Sequence, residues 1–346
     1  VVAMSGGVDS STAAAMLVEG GHDVIGIMLR LWSDPGQECY NKCCSPESMI
    51  RAKEVASILG IPFYVIDAKE VFRQEVVQYF IDGYSSGITP NPCLACNSLI
   101  RWDQLLDRAD SLDADYIATG HYAKLTKEED QPVRLYRGLD QNKDQSYVLS
   151  VLDQRQLSRT LLPVGDITKP EVREYARKFD LPSADEKDSQ DLCFLGHKSY
   201  EEFLEEYSTE DIEKGQILNV QGEVIGEHRG LIYYTIGQRK RIGVAHTEPL
   251  YVIDKDTNTN SLIVGVAEET GRSELIAKNA NWIIVIVPME SFNGDIMIWY
   301  RSKPQKVFVS PIGNNKFKVK FVNPVRQITP GQAAVIYQGD EVIGSG

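Results

Sequence analysis

Two kinds of chemistry are encoded in this chain: a polyphosphate nest near its start, and two cysteine settings far apart along it. The stretch Ser5-Gly6-Gly7-Val8-Asp9-Ser10-Ser11 follows a short apolar run from Val1 to Met4. Two glycines let the backbone turn tightly with its N–H groups facing inward. The serines add hydroxyl donors, and a helical pattern begins just beyond. Such a loop binds a polyanion at a helix N-terminus, and Asp9 is suited to hold Mg²⁺ against phosphate charge. No Gly-Lys-Ser/Thr follows, so this is not the Walker A pattern. Plain turn chemistry is the competing reading of Gly-Gly before Asp-Ser, and the flanking strand and helix weigh against it.

The first cysteine setting is Thr89-Pro90-Asn91-Pro92-Cys93-Leu94-Ala95-Cys96-Asn97. The prolines disfavour helix, and Asn97 is expected to open an amphipathic stretch that includes Ile100, Leu105 and Leu106. That puts Cys96 near a helix N-terminus, where the dipole favours a thiolate. The second is Lys187-Asp188-Ser189-Gln190-Asp191-Leu192-Cys193-Phe194, a polar loop entering an apolar segment. Only tertiary folding can unite the two. Replacing a carbonyl oxygen by sulfur requires making that oxygen a leaving group, which adenylation does, and then delivering sulfur. One cysteine can carry it as a persulfide while the other releases it or holds an intermediate.

These residues need elements to hold them. Strand-like runs at Val1–Met4, Asp23–Leu31, Pro62–Asp67 and Asp115–Thr119 alternate with amphipathic stretches at Ser11–Gly20, Pro46–Gly60, Val71–Tyr84 and Ser98–Leu112. That alternation predicts a parallel sheet wrapped by helices. Further helices are expected at Gln154–Arg159, Pro170–Phe179 and Ser199–Tyr207. From about Gly215 short runs separated by Gly turns suggest a small β-rich unit. Beyond Glu274, runs such as Trp282–Val287, Asp295–Arg301, Lys316–Val322 and Ala333–Tyr337 resemble barrel strands. The expected divisions are 1–205, 206–270 and 271–346.

Composition narrows the class. The chain has 346 residues, 42% of them hydrophobic, and a formal net charge of −13, which argues against a general nucleic-acid binder. The charge is uneven: from Gly271 onward there are 9 Lys and Arg against 5 Asp and Glu. A local basic face matters more than the total where phosphates are the target. No apolar run is long enough to span a bilayer. Six cysteines without secretory signals suit reduced thiols with catalytic or metal roles. The expected location is a bacterial cytoplasm. An organelle is the alternative, since the sequence opens on a strand without an initiator Met.

The nest resembles the PP-loop of the ATP pyrophosphatases. With Thr89–Asn97, Ala118–Tyr122, Gly138–Tyr147, Lys187–Phe194, Thr235–Lys240 and Thr329–Gln332 added, the whole chain resembles the bacterial-type tRNA-uridine 2-sulfurtransferases. The resemblance implies a PP-loop catalytic domain, a small central domain and a C-terminal β-barrel. It makes Cys96 the nucleophile and Cys193 the persulfide carrier, with Ala3, Met4, Ser5, Gly6, Gly7, Val8, Asp9, Ser10, Leu29 and Gly120 at ATP. It sets Asn91, Pro92 and Cys93 at the target base. His121, Lys143, Asp144, Gln145, Trp299, Tyr300 and Gln332 fall at tRNA-contacting positions. The implied reaction thiolates the wobble uridine in the anticodon arm, using Mg-ATP, a sulfur-donor relay protein or sulfide, and a reductant, with no membrane involved. From the residues themselves, Trp299, Tyr300 and Arg301 offer stacking faces beside a cation, and Lys143 can pair a phosphate.

Alternatives stay open at several positions. Cys93, Cys96 and Cys193 could instead hold a [4Fe–4S] cluster with one open iron; four-thiolate zinc would have to recruit Cys39, Cys43 or Cys44. Cys43-Cys44 suits packing, with Ser45 capping the next helix. His121, at a strand end, is either a ligand contact or a satisfied structural imidazole. Asp188 either assists near Cys193 or caps a turn. Two rival functions remain: another PP-loop ligase, which would not need the thiols, and a non-catalytic tRNA-binding or iron–sulfur scaffold, which would not release pyrophosphate.

Overall fold

The computed structural model describes residues 1–32, 45–186, 192–208, 212–284 and 287–346. Five strands, Val2–Ala3, Gly26–Arg30, Phe63–Asp67, Ile117–Ala118 and Thr160–Leu161, form a parallel sheet. Counted along the chain, they lie in the order 3-2-1-4-5. The order reverses between the first strand and the fourth, so a crevice opens at their carboxyl ends. The expected parallel sheet with helices is therefore present, and the fifth strand is one the sequence pattern did not mark.

Local sequence explains the helices that serve this crevice. The helix Pro46–Leu59 has Pro46 in its first turn, Ser45 Oγ accepting from Ser48 N, and Gly60 closing it in the left-handed region (φ 69°). Ser45 is the expected cap. One expectation is corrected. Helix does not wait for Asn97: Pro92–Ala95, the π-helical Cys96–Trp102 and Asp103–Ser111 run on without a break. Asn91 is the cap, its side chain accepting from Cys93 N, and Pro92 sits where its missing N–H costs nothing. Cys93, rather than Cys96, therefore occupies the first turn. Cys96 opens the π-wide stretch, a local geometry that often marks functional sites.

The C-terminal region forms a nine-stranded antiparallel sheet, and the central region a separate four-stranded one. Two members of the large sheet come from the first half of the chain. The hairpin Ala123–Thr126 and Arg134–Arg137 pairs with Glu341–Ser345, with Leu135 opposite Val342. Of the run Trp282–Val287 read as a strand, Asn281–Trp282 pairs; Val285 and Ile286 lie outside the described residues. One apolar core crosses the divide, joining Trp102, Ile117 and Tyr147 to Ile283, Val335, Tyr337 and Val342. Asn281 Nδ2 also donates to Ser150 O and Leu152 O. Burial of this kind makes the barrel part of the framework rather than an appendage. Among the described residues, no helix is long and apolar enough to cross a membrane.

Candidate active site

The nest lies where the strand order reverses. Gly6 takes φ 77° and packs so closely on the helix Pro46–Leu59 that a Cβ there would come 2.3 Å from Ser48 O. Only glycine is accommodated in both respects. Gly7 precedes the helix Val8–Glu19, whose N-terminus is capped by no described side chain, leaving its first N–H groups directed at an incoming anion. Ser5 N donates to Ser10 Oγ (3.2 Å), and Ser10 Oγ and Ser11 Oγ donate to Gly7 O (3.1 and 2.9 Å). Gly120, after the fourth strand, completes the wall: a Cβ there would come 2.6 Å from Asp9 C and Ser10 N.

Asp9 sits at the mouth with its side chain about a third exposed. Its Oδ1 accepts from Tyr122 Oη and from Lys169 Nζ, both at 2.6 Å. Arg51 Nε donates to Gly6 O (3.1 Å). No role was expected of Lys169 or Arg51, and Tyr122 appeared only within the Ala-Thr-Gly-His-Tyr match. Tyr122 offered a signal, two residues after the glycine that walls the loop; the other two are brought in by folding alone. A part-exposed carboxylate beside a phosphate nest fits a hard cation such as Mg²⁺.

The thiols lie in a different environment. Cys96 is buried and Cys193 half-buried, and both belong to one apolar cluster with Phe72, Phe80, Ile100 and Phe203. Phe194 anchors the second thiol, its ring packing against Phe80 (5.2 Å between centroids), Phe203 (5.1 Å) and Phe72 (6.1 Å). Leu29 packs against the same cluster from the second strand, linking the thiols to the sheet that carries the nest. Asp188 lies outside the described residues, as do Cys39, Cys43 and Cys44.

Cys93 is exposed. Among the described residues no three His, Cys, Asp or Glu side chains are grouped to hold a metal ion. The helix that buries Cys96 turns Cys93 to solvent.

The barrel reaches the target-base segment directly. Thr89 N donates to Pro330 O (2.8 Å), Gln332 Nε2 to Thr89 O (2.9 Å), and Asn91 Nδ2 to Gln332 Oε1 (3.3 Å). Gly331, at φ 96°, allows that approach. The loop 138–145 is fixed from within. Asp144 accepts from Gly138 N, Ser146 N and Ser146 Oγ beside Arg137, although burial pushes its carboxyl pKa up. Gln145 Oε1 accepts from Tyr122 N, and Gln145 N donates to Tyr122 O. Lys143 is half-buried on this loop. His121 is buried, shares a 2.8 Å hydrogen bond with Thr119 and lies against Trp102. Burial, aided by the charge of Arg101, lowers its pKa to about 3, so the imidazole is neutral at physiological pH. Trp299 and Tyr300 are half-buried in a turn, with Tyr300 near Tyr147 and Arg301 over the Tyr300 ring (5.1 Å).

Comparison with known proteins follows the same three-part layout. Three sequence profiles match: "tRNA methyl transferase HUP domain" over residues 1–197, its "PRC-barrel domain" over 201–266, and "Aminomethyltransferase beta-barrel domain" over 272–346. The "tRNA-specific 2-thiouridylase MnmA" of Carboxydothermus hydrogenoformans is 47% identical across 100% of this chain and 96% of its own. The protein of that name from Natranaerobius thermophilus shows the same identity and coverage. The chain belongs to the tRNA-specific 2-thiouridylase family. Among solved structures, the "U34-tRNA thiolase NcsA from Methanococcus maripaludis with its [4Fe-4S] cluster" is remote from this member of the family. It is 18% identical over 55% of this chain and 60% of that one, with a TM-score of 0.34.

Proposed function

We propose that this chain uses ATP to replace the 2-oxygen of the wobble uridine of tRNA with sulfur. One observation carries the reading: Cys96 and Cys193, 97 positions apart, share an apolar cluster that packs through Leu29 on the sheet bearing the phosphate nest. The profiles' wording speaks of methyl transfer and the relatives' names of thiolation. Two thiols in one cluster on the sheet that bears a polyphosphate nest support sulfur.

The nest of Ser5 to Ser10 orients ATP, and Asp9 holds the Mg²⁺ that offsets phosphate charge. The barrel, through Gln332 and Pro330, steadies the Thr89–Pro92 segment against which the splayed base lies. Uridine O2 attacks the α-phosphate, forming the adenylated base and releasing pyrophosphate. The terminal sulfur of a Cys193 persulfide then attacks C2, and AMP leaves. Cys96 thiolate attacks Cys193 Sγ, so the carbon–sulfur bond is kept, the sulfur–sulfur bond to the base breaks, and a Cys96–Cys193 disulfide forms. A dithiol reductant opens the disulfide, and transfer of sulfane sulfur from a donor persulfide recharges Cys193. The apolar cluster limits water at the activated base, which hydrolysis would otherwise return to uridine.

Anaerobic incubation of the protein, its Cys193 first charged with polysulfide as a sulfane-sulfur donor, with unmodified tRNA and Mg-ATP, followed by nucleoside mass spectrometry, tests this. The expected product is 2-thiouridine at the wobble position. Its absence across several tRNAs overturns the assignment.

A further inference from the structure

Cys93 and Cys96 stand one turn apart on a continuous helix but in opposite settings. Cys93 lies in the first turn, exposed, its backbone N donating to Asn91 Oδ1 (3.2 Å). Cys96 opens the π-wide stretch and is 6% exposed, inside the cluster with Phe72, Phe80 and Phe194. Residues three apart on a helix are neighbours on one face, at a Cα separation of the order that a disulfide spans. Only Leu94 and Ala95 intervene, so the two form a Cys-x-x-Cys pair with an outer and an inner sulfur.

The reaction described above ends with its oxidised pair badly placed for repair. One sulfur of a Cys96–Cys193 disulfide is buried, and the other is half-buried next to the Phe194 anchor. Thiol–disulfide exchange requires the attacking thiolate to reach a disulfide sulfur directly. A protein dithiol brings its sulfur to a surface, not in among packed aromatic rings. An exposed thiol one turn from Cys96 bridges that gap.

We propose that Cys93 is the resolving thiol of this enzyme. Its thiolate attacks Cys96 Sγ, the Cys96–Cys193 bond breaks, and Cys193 leaves as a thiolate that takes up the proton Cys93 gave. The oxidation now resides in a Cys93–Cys96 disulfide whose outer sulfur faces solvent. A dithiol reductant attacks Cys93 Sγ through a mixed disulfide, closes its own disulfide, and returns both cysteines to thiols. Each exchange breaks one sulfur–sulfur bond and makes one, and Cys193 is free for recharging after the first. The inference rests on the thiolation reading above and names the residue through which its reductant acts. Cys93 adjoins Asn91, which bonds Gln332 of the barrel (3.3 Å). A base seated on that segment covers the thiol, so the reset follows release of the product.

Trapping on the full chain tests it. The wild type, charged with polysulfide, is taken through one turnover with tRNA and Mg-ATP, then mixed with a thioredoxin whose second active-site cysteine is replaced by serine. Peptide mass spectrometry is expected to find the mixed disulfide on Cys93. Capture on Cys96 or Cys193 instead, or no capture, overturns the proposal. In a second measurement diamide sets the Cys96–Cys193 disulfide in the wild type and in Cys93→Ser. Reduction by intact thioredoxin should be slower in the variant by about tenfold or more, while a small phosphine reduces both at one rate. Equal rates with thioredoxin overturn the proposal, as does equal slowing with both reductants, the mark of a disturbed fold. Absence of any Cys96–Cys193 disulfide in the wild type after turnover without reductant overturns the underlying reading as well.

Discussion

The nest and the thiol cluster lie on the same sheet but are built on opposite principles. Around the nest, polar groups are paired with one another: Ser5 with Ser10, Asp9 with Tyr122 and Lys169, Arg51 with Gly6. Donors destined for a ligand must be satisfied in its absence, or their burial destabilises the fold. Around the thiols the surroundings are aromatic rings and aliphatic side chains, with Phe194 as the anchor. Geometry there comes from packing, and the reactive atoms gain a dry site rather than a polar one. The difference separates what each region contributes: the nest supplies charge and orientation, while the cluster supplies proximity and exclusion of water.

The strongest way to break this division is to remove the thiols. Cys96→Ser and Cys193→Ser should each lower thiolation by about a thousandfold or more, while pyrophosphate release on meeting tRNA persists. Nucleoside mass spectrometry and a pyrophosphate assay on the same samples read both halves. Loss of pyrophosphate release in both variants would show that the two regions are not separable. The converse lesion is Gly120→Ala. Its Cβ meets backbone at Asp9 and Ser10, which cannot move aside as a side chain would. Overpacking of this kind costs about 1–3 kcal/mol, so affinity for an ATP analogue should fall roughly tenfold to a hundredfold. Alkylation of Cys193 by a maleimide should proceed at the wild-type rate.

How far the two regions could be read from sequence follows from the same contrast. The nest is local: seven consecutive residues, running from a loop after a strand into the first turn of a helix, display their chemistry in the one-dimensional pattern. The thiol settings were visible as residues, but not their placement. Pro92 was taken as a helix breaker when it begins the helix, because a proline in the first turn needs no N–H partner. That one shift moves Cys96 from an expected helix N-terminus into the core. Lys169 and Arg51 were invisible because nothing near them in sequence hints that they meet a loop 160 and 45 residues away. The hairpin 123–137 escaped notice because its two strands are only four residues each, too short for a period-2 pattern to stand out. Their pairing is decided by Glu341–Ser345, at the far end of the chain.

A smaller effect sharpens the comparison at the barrel. Gln332→Ala removes two hydrogen bonds to Thr89 and Asn91, each worth about 1 kcal/mol. The expected result is a roughly tenfold lower kcat/KM for tRNA with unchanged affinity for the ATP analogue. Equal losses in both would place Gln332 in the general framework rather than in the support of the target-base segment.

The smallest effect on activity concerns His121, which follows the Gly120 that walls the nest. Its pKa, lowered to about 3 chiefly by burial, means that the folded protein excludes a proton that the unfolded chain binds near 6.5. The unfolded state then holds more protons between these values, so stability rises with pH across that window. The contribution is fully present above 6.5 and is lost as pH falls toward 3, at up to about 1.4 kcal/mol per pH unit. Urea midpoints at pH 7, 6 and 5 should fall more steeply in the wild type than in His121→Gln, which keeps an acceptor for Thr119 but has nothing to protonate. Thiolation by the two proteins should change in parallel over the same range, since a neutral buried imidazole brings no charge to an RNA phosphate. A titration in the activity of the wild type that His121→Gln abolishes would mean that tRNA opens this pocket and exposes the ring. His121 would then belong to the RNA surface instead of the core beside Trp102.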